Sequence, residues 1–120
     1  AMDVKAPLDP EKYAQATGAS VDLDRIRESI RLLQGSGLEH EFRMTVLPRL
    51  HTAADIRQWA ATLGAGSARL TLQNFNPSTT LEPRLARVKG FPPGEFEELR
   101  QLVRAIRKNQ RERLDKANCL

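Results

Sequence analysis

The sequence predicts an α/β fold with a parallel sheet, and three observations carry that expectation. Short stretches in which apolar and polar residues alternate, the period of a strand, occur three times. Stretches with apolar residues three and four apart, the period of a helix, follow each of them. The order is strand, helix, strand, helix, strand, helix, and parallel strands in sequence need such crossovers between them.

Residues 1–5 form the first strand: Met2 and Val4 alternate against Asp3 and Lys5, so the chain is expected to begin inside a strand, which Pro7 and Pro10 close into a loop. Leu23, Ile26, Ile30 and Leu33 then recur at helical spacing, predicting a helix over 23–34 with Asp22 as N-cap and Gly35 and Gly37 as stops. A second strand spans 41–47, where Phe42, Met44 and Val46 alternate with Arg43, Thr45 and Leu47, and Pro48 ends it.

Thr52 is placed to cap a second helix through Asp55 at the third helical position, and Ile56, Trp59, Ala60 and Leu63 form its apolar stripe up to Gly64. A third strand is expected over 69–75. Residues 76–91 carry no period, and a loop of this length in a compact domain is a candidate docking surface. Pro93 suits the first turn of a last helix, with Phe96, Leu99, Val103 and Ile106 inward.

The chain has 120 residues, 40% of them hydrophobic and 28% charged, the balance of one soluble globular domain over 1–120. No stretch approaches the roughly 20 apolar residues of a membrane helix, and no secretory signal is visible, so a cytoplasmic protein is expected. The one cysteine, Cys119, excludes an intramolecular disulfide and a multi-cysteine metal site built from this chain. The net charge of +4 is spread along the sequence.

Fully buried parallel strands read as continuous apolar runs, whereas these three carry Asp3 and Lys5, Arg43 and Thr45, and Thr71 and Gln73 on alternate positions. One face of the sheet is therefore polar. Successive right-handed crossovers put all helices on the other face, leaving the polar one toward water or a barrel lumen. Lys5 or Arg43 suits a ligand carboxylate, and Asp3 suits hydroxyls or an amine. Three strand-helix units also leave two open edges, and a full barrel takes about 250 residues, so the expectation is half of a partial TIM-type barrel.

The runs Met2-Asp3-Val4-Lys5-Ala6-Pro7-Leu8, Tyr13 to Gly18, Glu41-Phe42-Arg43-Met44-Thr45-Val46 and Leu72-Gln73-Asn74-Phe75 resemble a known pattern. In this order and spacing they look like the C-terminal half of a radical S-adenosylmethionine activating enzyme, of the anaerobic ribonucleoside-triphosphate reductase activating and pyruvate formate-lyase activating family. The resemblance implies a partial barrel of six strand-helix units, of which these would be the last three. It also implies reductive cleavage of S-adenosylmethionine at a [4Fe-4S] cluster and hydrogen abstraction from a glycine of a partner glycyl radical enzyme. By that resemblance Asp3, Lys5 and Arg43 bind S-adenosylmethionine, and Asn76 lies near the adenosine. The Cys-x3-Cys-x2-Cys loop that holds the cluster in this family is missing, as is its glycine-rich segment, and Pro48-Arg49 stands where Pro-Gly is common. The resemblance therefore implies a parent protein in which the cluster is bound outside this chain, with catalysis not expected of this chain alone.

Three other readings compete. A nucleic-acid module would rest on Arg104, Arg107, Lys108, Arg111, Arg113 and Lys116, but Glu112 and Asp115 interrupt the run and no aromatics are interleaved for base stacking. A metal-independent enzyme would use His40 or His51 with Glu39, Glu41 or Asp55, yet no Ser or Cys has a nucleophile's setting. A binding or scaffolding half-barrel without catalysis would associate with itself or with a missing N-terminal half through its open edges.

Overall fold

The computed structural model describes residues 1–64, 68–79, 83–85 and 87–118, with the side chains of 79, 84 and 114–118 left out. Cys119 lies outside the described residues. Within them the chain is α/β: β1 (Met2–Asp3), α1 (Pro10–Thr17), α2 (Leu23–Gln34), β2 (Glu41–Val46), α3 (Ala53–Leu63), β3 (Arg69–Asn74), two 3-10 turns (Pro77–Thr79 and Pro83–Leu85) and α4 (Pro93–Asn118). The sheet is parallel and open, in the order β1-β2-β3, with Met2 beside Phe42 and Glu41 beside Arg69.

Local signals set most element ends. The Asp22 carboxylate accepts from the Asp24 N–H and starts α2 where the spacing predicts it, and Gly35 ends it. Thr52 and Asp55 form a reciprocal capping box on α3. Helix α1 is an addition: the sequence predicts no element between the loop at Pro7 and Pro10 and the helix over 23–34, yet residues 10–17 are helical. Asp9 caps its N-terminus through the Lys12 N–H, Pro10 occupies its first turn, and Gly18 closes it with φ 77°, a left-handed conformation that favours glycine. With eight residues and one buried side chain, Tyr13, it is too short to show an apolar period.

One core lies on one side of the sheet. Val4, Phe42, Met44, Val46 and Leu72 from the strands meet Tyr13, Ile30, Ile56, Trp59, Leu63 and Val103 from the helices. Each such large side chain contributes about 1.5–3 kcal/mol on burial. The opposite face carries Asp3, Arg43, Thr45, Thr71 and Gln73, all exposed or half-buried. This is the polar face expected from the alternation.

β1 is two residues long, not five, because the backbone beyond it is held by side chains. The Val4 N–H still donates to the Arg43 carbonyl at 2.9 Å. Beyond that, the Val4 carbonyl accepts from Trp59 Nε1 at 3.0 Å and the Lys5 N–H donates to the Tyr13 hydroxyl at 3.3 Å. The Lys5 carbonyl faces His51 Nε2 at 3.0 Å. Three side chains, from α1, α3 and the loop before α3, thus satisfy polar groups that a longer ladder would otherwise take up.

Candidate functional site

In a parallel sheet the carboxyl ends of all strands lie at one end, and ligands collect there. On the polar face at this end the structure has a cleft of about 150 Å³. Asp3 and Lys5 line it from β1 and its continuation, Arg43 and Thr45 from β2, and His51, Phe75 and Leu85 from the loops beyond. Asp3, Lys5 and Arg43, singled out from the sequence, are therefore brought together.

Register explains the grouping. Asp3 pairs directly with Arg43, which pairs with Thr71, so one charge sits beside another across adjacent strands. Arg43 Nε lies 3.7 Å from Asp3 Oδ1 and 3.5 Å from Glu41 Oε1. Both separations are those of ion pairs, and this buried Nε makes no hydrogen bond among the described residues. Glu41 is itself oriented by Thr71 Oγ1, which donates to Oε2 at 2.9 Å. Lys5, also in the cleft, is exposed. Three cations, Lys5, Arg43 and Arg69, and two carboxylates, Asp3 and Glu41, thus share this face, charges of both signs that suit a zwitterionic ligand.

Asn76 does not join them. It lines an adjoining cleft with Gln73, Asn74 and Phe96, and the two clefts share Thr45 and Phe75. Its Oδ1 accepts from the Ser78 N–H at 3.0 Å and from Ser78 Oγ at 2.7 Å, so one of its tasks is to cap the turn Pro77–Thr79. The loop over 76–91, a candidate docking surface, is described only in part. Its far end is fastened to β3, because the Asn74 amide donates to the Phe91 carbonyl and accepts from the Phe91 N–H, both at 2.8 Å.

His51 is a strut of the cleft rather than a reactive group. Its Nδ1 accepts from the Leu47 N–H at 3.2 Å, which leaves Nε2 to donate to the Lys5 carbonyl. Burial pushes its pKa below the ordinary value, against the opposing pull of these contacts and of Asp55. The neutral ring therefore ties the end of β1 to the turn after β2. His40 precedes β2 and His51 follows it, so a six-residue strand of about 20 Å separates them. Asp55 is committed to the capping box and to Lys12 Nζ at 3.4 Å. Burial pushes its carboxyl up, but the Thr52 hydrogen bonds and the Lys12 charge outweigh it and leave the pKa below the usual carboxylate range.

Sequence reasoning did not assign Glu41 to this face, although the strand period could have: Glu41 and Arg43 are two residues apart. Ala16, Leu50 and Leu85, which wall the cleft, carried no such signal because they come from α1 and from loops. Among the described residues no group of His, Cys, Asp and Glu is arranged to hold a metal ion. No helix among them is long and apolar enough to cross a membrane. Comparison with protein-family models, with curated proteins and with solved structures found no match.

Proposed function

We propose that this chain is half of the partial barrel of a cytoplasmic radical S-adenosylmethionine activating enzyme, and that its polar sheet face supplies part of the S-adenosylmethionine site. The observation that supports it is the convergence of Asp3, Lys5 and Arg43 on one cleft at the carboxyl ends of the strands, with Arg43 Nε buried and making no hydrogen bond among the described residues. In this reading Lys5 and Arg43 hold the methionine carboxylate, Asp3 accepts from the amine or the ribose hydroxyls, and Asn76 approaches the adenosine from the neighbouring cleft. A [4Fe-4S] cluster bound outside this chain would supply the electron for cleavage, and a glycine of a partner glycyl radical enzyme would give up the hydrogen atom.

The size of the cleft agrees with a shared site. Pockets for ligands of this kind are about 300–1,000 Å³, and this one, at about 150 Å³, lacks an opposing wall. The missing wall is the N-terminal half of the barrel, paired along the open edge of β1. Without that half, the same face and edges would serve binding or scaffolding, and the open sheet favours this as the second reading.

Titration of the ¹⁵N-labelled chain with S-adenosylmethionine to millimolar concentration tests the site. Amide shifts confined to Asp3, Lys5, Arg43, Thr45, Asn76 and their neighbours, and lost in Lys5→Ala with Arg43→Ala, are expected. Shifts elsewhere, or unchanged in that double variant, would remove S-adenosylmethionine from this face.

A further inference from the structure

The open edge of β3 carries a feature that the cleft on the polar face does not use. β3 pairs only with β2 among the described residues. The Arg69 N–H donates to the His40 carbonyl at 3.2 Å and the Phe75 N–H to the Val46 carbonyl at 3.0 Å, which fixes the phase of the strand. In a parallel ladder alternate residues point both backbone groups the same way, so Leu70 and Leu72 direct N–H and C=O away from β2. At Asn74 that outer edge is covered by the amide clasp on Phe91. No such cover reaches Leu70 or Leu72 among the described residues.

Beside this edge runs a groove between β3 and α4, formed by two clefts of about 230 and 450 Å³ that share Leu70, Thr71, Val103 and Arg104. Leu70, Leu72, Phe96 and Val103 give it an apolar lining. Its rim is basic: Arg69, Lys108 and Arg111 are exposed and make no ion pair among the described residues, and Arg104 reaches Glu97 only at 3.9 Å. Glu112 is the one acidic side chain lining it.

We infer that this groove docks an acidic extended peptide segment, which adds to the sheet as a fourth strand beside β3. The inference is independent of the S-adenosylmethionine site. Backbone groups at strand spacing match a peptide main chain and have no counterpart in a phosphate backbone. The apolar lining takes side chains that the added strand turns toward α4, where the rim cations Arg104, Lys108 and Arg111 select acidic neighbours, and Arg69 on the opposite face selects carboxylates among the others. A basic rim alone would also attract nucleic acid, but Leu70 and Leu72 offer carbonyl acceptors as well as donors, and no aromatic cluster stands among the arginines for base stacking.

The test uses a fluorescein-labelled heptapeptide alternating glutamate with valine, the same peptide with lysine for glutamate, and a labelled thymidine oligonucleotide, each read by anisotropy against the whole chain. The glutamate peptide is expected to bind best and to slow amide exchange at Leu70 and Leu72, and N-methylation of its alternate amides should abolish binding. Arg104→Glu with Arg111→Glu, both at exposed positions, should weaken it by about tenfold or more. Failure of the glutamate peptide to bind would overturn the inference, as would equal binding of the lysine peptide. Binding of the oligonucleotide in preference, or binding of the peptide without protection of Leu70 and Leu72, would overturn it equally.

Discussion

Trp59 Nε1 donates to the Val4 carbonyl at 3.0 Å, joining the middle of α3 to the end of β1 through a side chain that is 1% exposed. This bond holds the strand end that carries Asp3 and Lys5. Trp59→Phe keeps an aromatic ring but leaves that carbonyl buried without its donor, and should cost about 1–3 kcal/mol in urea unfolding followed by circular dichroism. A smaller loss would mean that water or a shift of the strand replaces the indole.

His51 makes stability depend on pH. Its folded pKa lies below its ordinary value, so the folded state prefers the neutral ring. Its contribution is fully present above about pH 6.5 and is lost as pH falls below that value, when protonated Nδ1 would face the Leu47 N–H donor. Unfolding free energy should therefore drop between pH 7.5 and 5.5, and His51→Gln should flatten that slope while His40 remains in place. An unchanged slope would assign the dependence to other groups.

Asp55 acts in a lower window. Its folded pKa is depressed, so its contribution is present above about pH 4 and lost as pH falls through the folded value. Thr52→Ala should cost about 1 kcal/mol by removing half of the capping box. Asp55→Asn should remove the acid-range slope, which a series of melting curves from pH 5 to 2.5 would show.

The basic residues of α4 divide into two kinds. Arg107 is buried, with Nη1 donating to the Gly64 carbonyl and Nη2 to the Ala68 carbonyl at 2.6 Å, so it caps the C-terminus of α3 and fixes the start of β3. Arg107→Met should cost about 2–3 kcal/mol because both carbonyls lose a charged donor. Arg104→Ala, at an exposed site, should stay within about 0.5 kcal/mol. Equal effects in the two variants would contradict the distinct placement of these side chains.

Gly90 lies so close to β3 that a β-carbon there would overlap the Phe75 carbonyl oxygen and the Asn74 side-chain oxygen. Gly90→Ala should loosen the Asn74 clasp and cost about 1–3 kcal/mol, with faster amide exchange at Phe91. Asn74→Asp, which keeps the acceptor and loses the donor, should have a milder effect on the same amide.

The sequence alone determined what short windows encode. The alternation of Phe42, Met44 and Val46 with Arg43 and Thr45 set the two faces of the sheet, Asp22 and Gly35 set the ends of α2, and Thr52 with Asp55 set the start of α3, because each signal lies within one or two turns or strand periods. That alternation, and the resemblance read beside it, also singled out Asp3, Lys5 and Arg43. Only the tertiary structure decided which side chains meet across elements. Helix α1 is stabilised by its caps and by Tyr13 reaching Lys5 rather than by an apolar period. β1 is cut short because Trp59 and His51 take its carbonyls. Arg107 reads in the sequence as one more cation in a solvated run, and only the approach of α4 to the end of α3 makes it a buried cap. The contacts of Trp59, His51 and Arg107 join residues 39 to 55 positions apart, and no local period records which elements will pack together.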